Sequence, residues 1–507
     1  MRRLLTGAGL VAAVAAVTVG GSVAAAGPVE TPAPREVIVA PPPTSAVCPA
    51  PPALVTGGGA EGAPATDPQF DSSPVDVTSS LRALAAPGTA GALTGTVMAG
   101  PAPAGGDLLA APVEGDGPVL ESDGAAPTAL VAAPAPDATT PAALGALHTA
   151  LTTAGDLRGL AATGCATPAA SGWLVGGATS VGRSARLLLA NPNSTATTVD
   201  LTVLTAEGPV QPAAGQGVVL APGERRELLL EGLAPGQDAV AVRYEARGAR
   251  VSALLVTTRL DGLTPSGVEV VSPSGPATRR QVVPGLAVDD QTALTLRLAA
   301  PGTGPVVVRW QLHGSDGPLV DGTAGAAVTV PAGTVVDVAL PAGGPGDYAL
   351  VVDADAPVLT AVATERGPED GPTDVAWARA TERLSGASLV VMPADDDVRA
   401  RLALVASDGA AVVELAEVAA DGSVGQAQRV LLDVGAVAAV EVGDGDDLPV
   451  ALLVRPVSGS VHAATALTAS ADDGEDDLVA VVGTDPAPVA PDAVRIVSPP
   501  AGAWPGG

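Results

Sequence analysis

The chain has 507 residues, of which 47% are hydrophobic and 1% aromatic, and its formal net charge at pH 7 is −29. Such an acidic chain repels the phosphate backbone of nucleic acids, and no arginine cluster offsets this repulsion, so nucleic-acid binding is not expected. The length predicts three to five domains of about 100–150 residues each. Because the apolar residues are mainly Ala, Val and Leu, we expect cores built from strands.

The N-terminus has the features of an export signal. Arg2 and Arg3 precede an uncharged run over 4–29, and the small residues at 24–26 offer a cleavage site. The run exceeds the usual apolar region of about 7–15 residues and is long enough to span a bilayer, which takes about 20. We therefore expect residues 1–26 to be a cleaved signal peptide or an N-terminal membrane anchor. Both alternatives place the rest of the chain outside the cytoplasm, either secreted or on the outer face of the cytoplasmic membrane.

The two cysteines, Cys48 and Cys165, predict a structural disulfide in an exported protein. A metal site is disfavoured because neither cysteine has nearby histidines, and a catalytic thiol is disfavoured because neither has an adjacent base. After a Pro-rich spacer at 27–47, the disulfide would close a β-rich N-terminal domain at 48–170. Short strands are predicted within it at 76–86, 93–99 and 129–133, whereas 142–154 fits either a helix or a strand.

One strand pattern recurs three times after this domain, at a spacing of about 105 residues. The matching segments are LLLANP (187–192), LRLAAP (296–301) and LALVAS (402–407); AVAVR (239–243), YALVV (348–352) and ALLVR (451–455), which lead into separate strands VSALLVTT (251–258), VLTAVATE (358–365) and VHAATALT (461–468); and GVEVVSP (267–273), DVAWARA (374–380) and LVAVVGT (478–484). Each copy holds about seven strand-like runs, the size of an immunoglobulin-like sandwich.

The predicted fold is therefore all-β, with three tandem immunoglobulin-like β-sandwich modules after the N-terminal domain. The modules are expected at 171–275, 280–381 and 383–485, and a C-terminal tail at 486–507. Alternation in VVVRWQL (306–312) places Trp310 on the core face of its strand.

Residues suited to chemistry are scattered along the chain. His148, His313 and His462 are isolated, and no nucleotide-binding, zinc-protease or serine-hydrolase motif occurs in a suitable context. The acidic runs at 395–397, 444–447 and 472–477 are expected to be solvated loops, since none has the ligand spacing of a calcium loop. Weak association with divalent cations stays open as an alternative. We thus expect no catalytic, metal-binding or cofactor-binding residues, and no enzyme.

Several short motifs resemble a known family. They are Cys48-Pro49, GDLRGLA (155–161) leading to Cys165, WLVGG (173–177), LANP (189–192), VPG (283–285) and DVAW (374–377). Over roughly 48–480 the chain resembles the exported proteins of high-GC bacteria known as domain of unknown function 5719. The resemblance implies an exported β-rich protein without an assigned activity, and it transfers no catalytic residues.

These observations favour a non-enzymatic cell-envelope protein, a structural or interaction scaffold that binds an unknown envelope protein or polysaccharide. The alternative is a glycan- or cation-binding module of the adhesin type. A hydrolase of envelope glycans is less favoured, because seven aromatic residues leave few rings for stacking on sugars. We expect the functional surface where Cys165 and Trp173 join the N-terminal domain to the first module.

Overall fold

Antiparallel β-strands are the main secondary structure of the residues that the structure describes. A computed structural model describes residues 36–38, 44–53, 76–86, 96–101, 119–123, 128–133, 143–319, 327–341, 343–442, 448–471, 477–486 and 495–497. The helical segments of these residues are two short 3-10 turns, Ala213–Gly215 and Leu230–Gly232. No described helix has the length and apolar character needed to cross a membrane. The expected signal peptide or anchor at 1–26 lies outside the described residues.

The chain divides into two compact units. One contains residues 1–40 and 491–507, and in it β1 (Glu36–Ile38) pairs antiparallel with β34 (Arg495–Val497). The other, residues 41–490, contains the remaining described strands in four successive groups of antiparallel strands. Each group has two layers, which we call sheet pairs A to D, and in pair C the two layers are continuous through one long strand.

Pair A covers 44–163. Its strands are β2 (Thr44–Cys48), β3 (Thr78–Ala86), β4 (Thr96–Pro101), β5 (Val119–Ser122), β6 (Thr128–Ala133), β7 (Ala143–Thr152) and β8 (Gly159–Thr163). One sheet has the order β5-β3-β7-β8 and the other β2-β6-β4. Leu81, Leu120 and Leu130 are buried in its core. The ambiguous segment at 142–154 is thus a strand, and the predicted strands at 76–86, 93–99 and 129–133 are confirmed with small shifts of their ends.

Pair B covers 171–271. Its strands are β9 (Ser171–Val175), β10 (Arg183–Ala190), β11 (Thr197–Leu204), β12 (Pro209–Val210), β13 (Val218–Leu220), β14 (Arg225–Leu229), β15 (Ala241–Arg247), β16 (Ser252–Asp261) and β17 (Thr264–Val271). The sheet orders are β14-β10-β16-β17 and β12-β11-β15-β9, and β13 also pairs with β11. Alternate residues of β10 and β11 point inward and surround Tyr244, which is buried.

Pair C covers 278–379. Its strands are β18 (Thr278–Val288), β19 (Thr292–Ala299), β20 (Val306–Gly314), β21 (Gly317–Pro318), β22 (Ala327–Val330), β23 (Val335–Leu340), β24 (Gly346–Arg366) and β25 (Asp374–Arg379). The two segments predicted as separate strands, 348–352 and 358–365, form the single 21-residue strand β24. Its first half pairs with β18 and β20 and its second half with β19 and β25, so β24 joins both layers. Trp310 packs against the core but is only partly buried.

Pair D covers 388–483. Its strands are β26 (Ser388–Val391), β27 (Arg399–Ala406), β28 (Ala411–Val418), β29 (Gln428–Leu432), β30 (Val437–Glu441), β31 (Ala451–Ser458), β32 (Val461–Ala469) and β33 (Leu478–Gly483). The sheet orders are β30-β27-β32-β33 and β26-β31-β28-β29. The third strand of pair B also pairs with β12 and β13, and the third strand of pair D also pairs with β29. Apart from these additional strands, the pairing order of pair D matches that of pairs A and B.

Candidate binding cleft

The last strand of every pair lies at the centre of the larger unit. The strands β8, β17, β25 and β33 pack against one another in a ring, and β8 and β25 also touch each other across it. All five residues of β8 are buried, and so are the last six of β17. A strand that is buried on both faces lacks alternation, and β8 and β33 are largely apolar, whereas β17 and β25 each carry a buried acid. We call this ring the junction.

Asp374 ties the beginnings of three of these strands together. One carboxylate oxygen, Oδ2, accepts hydrogen bonds from the backbone N–H of Leu160 in β8 and of Val479 in β33, both at 2.9 Å. The other, Oδ1, accepts from the N–H of Val375 at 2.9 Å. Burial raises the pKa of Asp374 to about 7, and these backbone hydrogen bonds oppose the rise. The carboxyl group therefore acts as a link between pairs A, C and D.

Glu269 of β17 joins pair B to the same ring. Its Oε1 accepts hydrogen bonds from the backbone N–H of Val270 at 2.7 Å and of Ala162 at 3.3 Å. Burial raises the pKa of Glu269 well above its usual range. No described group hydrogen-bonds to the other oxygen, Oε2. Both buried acids of the junction thus bind backbone amides of neighbouring strands.

Motif glycines allow the strands to approach this closely. Gly267 has φ +110, and a Cβ there would lie 2.6 Å from the backbone nitrogen of Val375. A Cβ at Gly159 would lie 2.6 Å from Oδ1 of Asp374. Other motif residues shape turns, since Nδ2 of Asn191 donates to three backbone carbonyls. The motifs GDLRGLA and DVAW therefore meet at the junction, and LANP forms a turn.

The ends of the same strands open into a cleft. Thr163 of β8 and Ser272, which follows β17, share a hydrogen bond between their hydroxyl groups at 3.0 Å. Arg379, the last residue of β25, donates to the carbonyl of Gly483, the last residue of β33, at 3.0 Å. Because β8, β25 and β33 also begin together at Asp374, and Gly267 near the start of β17 lies against Val375, the four strands run in the same direction. We call the cavity of about 300 Å³ at their C-terminal ends the junction cleft.

The junction cleft has aliphatic walls and several hydroxyl groups. The aliphatic side chains belong to Leu144, Leu147, Leu389, Val390, Val391 and Val482, and the hydroxyls to Thr44, Thr167, Ser272, Ser388, Thr465 and Thr484. Ser388 is buried, and its Oγ has no hydrogen-bond partner among the described residues. Leaving a buried hydroxyl unpaired costs about 1–3 kcal/mol, so the group is available to a ligand.

Arg379 supplies the positive charge of the cleft. Its guanidinium is 7% exposed and pairs with Asp485, whose side chain is 70% exposed, across 2.5 Å. The fold thus fixes the position of the Arg379 guanidinium, whereas the carboxylate of Asp485 belongs to the segment that follows β33. Nε of Arg379 has no acceptor among the described residues.

The predicted disulfide is present and lies at the rim of this cleft. Cys48 and Cys165 are bonded, and Cys165 is one of the lining residues. The disulfide is consistent with an extracytoplasmic location. Trp173 lies elsewhere: it packs between pairs B and C, with Arg243 5.8 Å above its ring. Cys165 therefore marks the cleft, and Trp173 does not.

The remaining candidate residues are dispersed. His313 bonds the carbonyl of Gly435 at 2.8 Å, His462 bonds that of Thr381 at 2.9 Å, and His148 is buried on β7. Burial lowers the pKa of His313 and of His462. Of the acidic runs, 444–447 and 472–476 lie outside the described residues. Among those described, no group of three or more His, Cys, Asp or Glu side chains is placed to hold a metal ion.

A larger cavity of about 530 Å³ lies between pairs C and D. Two of the arginines that line it have carboxylate partners: Arg401 bridges Asp347 and Glu441, both at 3.1 Å, and Arg366 lies 3.0 Å from Asp289. Arg401 is well exposed to solvent, and Arg366 is as buried as Arg379. The partner of Arg366, Asp289, is further held by hydrogen bonds from Gln291 and Thr292, whereas Asp485 is more exposed. The junction cleft is therefore the better candidate for a ligand that displaces the carboxylate from a fixed arginine.

The chain matches DUF5719, a family of unknown function, over residues 119–443, and it belongs to that family. The match runs from the later strands of pair A into pair D, and so it includes β8, β17, β25 and Arg379. No curated protein matches the chain.

Proposed function

We propose that the chain is an exported, non-enzymatic scaffold of the cell envelope whose junction cleft binds another envelope component. Arg379 is the observation that favours this function most: a cation held by the fold, at the open end of the ring where all four sheet pairs meet. Export is favoured by the N-terminal sequence, and the disulfide agrees with it.

We also infer that the modules are tandem sandwiches of immunoglobulin-like architecture, four in number rather than the three expected from sequence. The shared pairing order of the sheets supports this reading, because pair A has it as well. The proposed scaffold is then one body, in which four copies contribute their last strands to a common centre.

A binding role is favoured over catalysis by the use of the buried carboxyl groups. Asp374 and Glu269 accept hydrogen bonds from backbone amides inside the junction. A general acid or base needs access to substrate within hydrogen-bonding reach. Hydrolysis of envelope glycans by the purified chain, abolished by Asp374→Asn in a folded variant, would contradict the proposal.

Site-specific photocrosslinking in the producing cell tests the binding role. A crosslinking residue replaces Thr167, which is exposed at the rim of the cleft, and in a matched strain it replaces Val181, which is fully exposed elsewhere. We expect a discrete crosslinked product from position 167 only, which mass spectrometry then identifies. Identical products from both positions, or none from position 167, would count against a partner at the cleft.

A further inference from the structure

We infer that the junction cleft binds the carboxyl-terminal end of a peptide through Arg379, and that Asp485 occupies the carboxylate position in the unbound chain. This inference rests on the proposed function, because it names the ligand of the same cleft. Its basis is an arginine whose position is fixed and whose present partner is exposed.

The fold holds the Arg379 guanidinium in place from inside. Nη2 donates to the carbonyl of Gly483 at 3.0 Å, and Nη1 lies 3.4 Å from the carbonyl of Ala380. A buried guanidinium needs an anion, because two neutral carbonyls do not compensate for the water that it has lost. The arginine is therefore ready to accept a carboxylate, and it presents a planar set of donors that suits one.

Asp485 meets this need with a side chain that is easily displaced. It follows the end of β33 by two residues, and 70% of its side chain is exposed. When one carboxylate replaces another, Arg379 stays paired, so displacement costs only the release of the largely hydrated Asp485 side chain, about 1 kcal/mol or a five-fold population ratio. A ligand carboxylate that reaches Arg379 from the cleft would thus compete with Asp485 on favourable terms.

The remaining walls indicate the body attached to that carboxylate. The lining side chains are aliphatic or carry hydroxyl groups, and none of the described lining residues is aromatic. Sugar rings are commonly bound by stacking on aromatic faces, so the lining favours a small aliphatic body over a sugar acid. A volume of about 300 Å³ is at the lower limit of small-molecule sites and suits one or two small residues. The unpaired hydroxyl of Ser388 is available for a peptide N–H or C=O group.

Isothermal titration calorimetry on the full chain tests this inference with N-acetyl-alanyl-alanine as the probe. Its carboxyl-terminal amide lacks the charge and serves as the matched ligand. We expect the acid to bind and the amide to bind at least about 10-fold more weakly, the usual effect of a hydrogen-bonded charge. Equal binding of both ligands, or no binding of the acid at millimolar concentration, would overturn the inference.

The variants separate the roles of the two charged residues. Arg379→Gln should weaken binding of the acid by about 10-fold or more. Asp485→Ala should tighten it about five-fold, since it removes the competing carboxylate. Glu441→Ala, which removes an exposed arginine-paired carboxylate outside this cleft, should leave the affinity unchanged. Unchanged or weaker binding by Asp485→Ala would contradict the displacement, and this exposed substitution gives an answer even if Arg379→Gln does not fold.

Glucuronate is the third ligand, since it carries the same charge on a sugar ring. Tighter binding of glucuronate than of the peptide acid would overturn the peptide assignment in favour of an acidic glycan. A specific crosslink from position 167 combined with no response to Arg379→Gln would leave the proposed function standing and refute only the ligand named here.

Discussion

Replacing Asp374 by Asn perturbs the junction with little change in shape. The carboxyl group accepts three backbone N–H groups from β8, β25 and β33, and both of its oxygens keep an acceptor lone pair when it is protonated, as it is at pH 5. The asparagine side chain keeps only one acceptor oxygen. Its NH₂ group takes the place of the other oxygen, where it faces N–H donors and cannot accept a hydrogen bond from them. In the less costly orientation only the N–H of Val375 loses its acceptor, at about 1–3 kcal/mol. In the other orientation, Leu160 and Val479 lose theirs, at about twice that cost.

The pH dependence of this loss follows from the raised pKa. The pKa of Asp374 is about 7 in the folded chain, against an ordinary value of 3.8. A group with a raised folded-state pKa contributes its full stability below the unfolded pKa and loses it as pH rises through the folded pKa. The shift of roughly three units corresponds to about 4 kcal/mol, lost between about pH 4 and pH 7. An asparagine at this position does not titrate, so the variant lacks this component.

Urea unfolding at pH 5 and pH 8 measures both effects, and the difference between wild type and variant isolates Asp374 from other titrating groups. We expect Asp374→Asn to be less stable than wild type by about 1–3 kcal/mol at pH 5, and the gap to close or reverse at pH 8. Asp316→Asn, an exposed substitution in a turn, should match wild type at both pH values. A constant gap between pH 5 and pH 8 would refute the assignment of the raised pKa to Asp374.

Three further substitutions test other parts of the structure. Replacing Cys48 and Cys165 by Ser should lower the free energy of unfolding by about 4 kcal/mol, because the disulfide closes a separation of 117 residues; urea midpoints with and without reductant check this. Gly267→Ala should lower the free energy of unfolding by at least about 3 kcal/mol, because φ is positive and the new Cβ would meet the backbone of β25. Gly262→Ala, also at positive φ but in open space, should lower it by only about 1–2 kcal/mol. Thermal denaturation measures both changes. Arg297→Lys should destabilise by about 2–4 kcal/mol, because this buried arginine joins pairs B and C.

Each of these predictions has a result that would contradict it. If the urea midpoint of the wild-type protein does not change on reduction, the disulfide contributes little to the free energy of unfolding. Equal costs at Gly267 and Gly262 would mean that β17 does not approach β25 as closely as described. Arg429→Lys, in an exposed pair with Glu414, is the control for Arg297 and should change stability by less than about 0.5 kcal/mol.

Local sequence patterns predicted many of the strands. The apolar alternation in β10, β11 and β20 matches their burial, and the even number of cysteines after a predicted export signal predicted the disulfide. The separation predicted within β24 was wrong, because Pro357 lies at an exposed position where the strand passes from one layer to the other without a turn.

The junction and its cleft depend on contacts between distant residues, which no local pattern contains. Arg379 and Asp485 are 106 positions apart, and Asp374 reaches amides 214 and 105 positions away. Two signals in the sequence point to the junction nevertheless. Asp374 and Glu269 are acids within apolar runs, and Gly159 precedes Gly267 by about one repeat length, as expected if pair A is a further copy.

The central claim is that the four sheet pairs act as one body that holds Arg379 at the junction cleft. Native-state hydrogen exchange at the amides of Leu160, Val375 and Val479 tests it most directly, because these three groups bind Asp374 from three different pairs. The claim predicts that all three exchange only through the same high-energy opening, with equal protection close to the global free energy of unfolding. Three separate protection values, each matching the opening of its own pair, would contradict it.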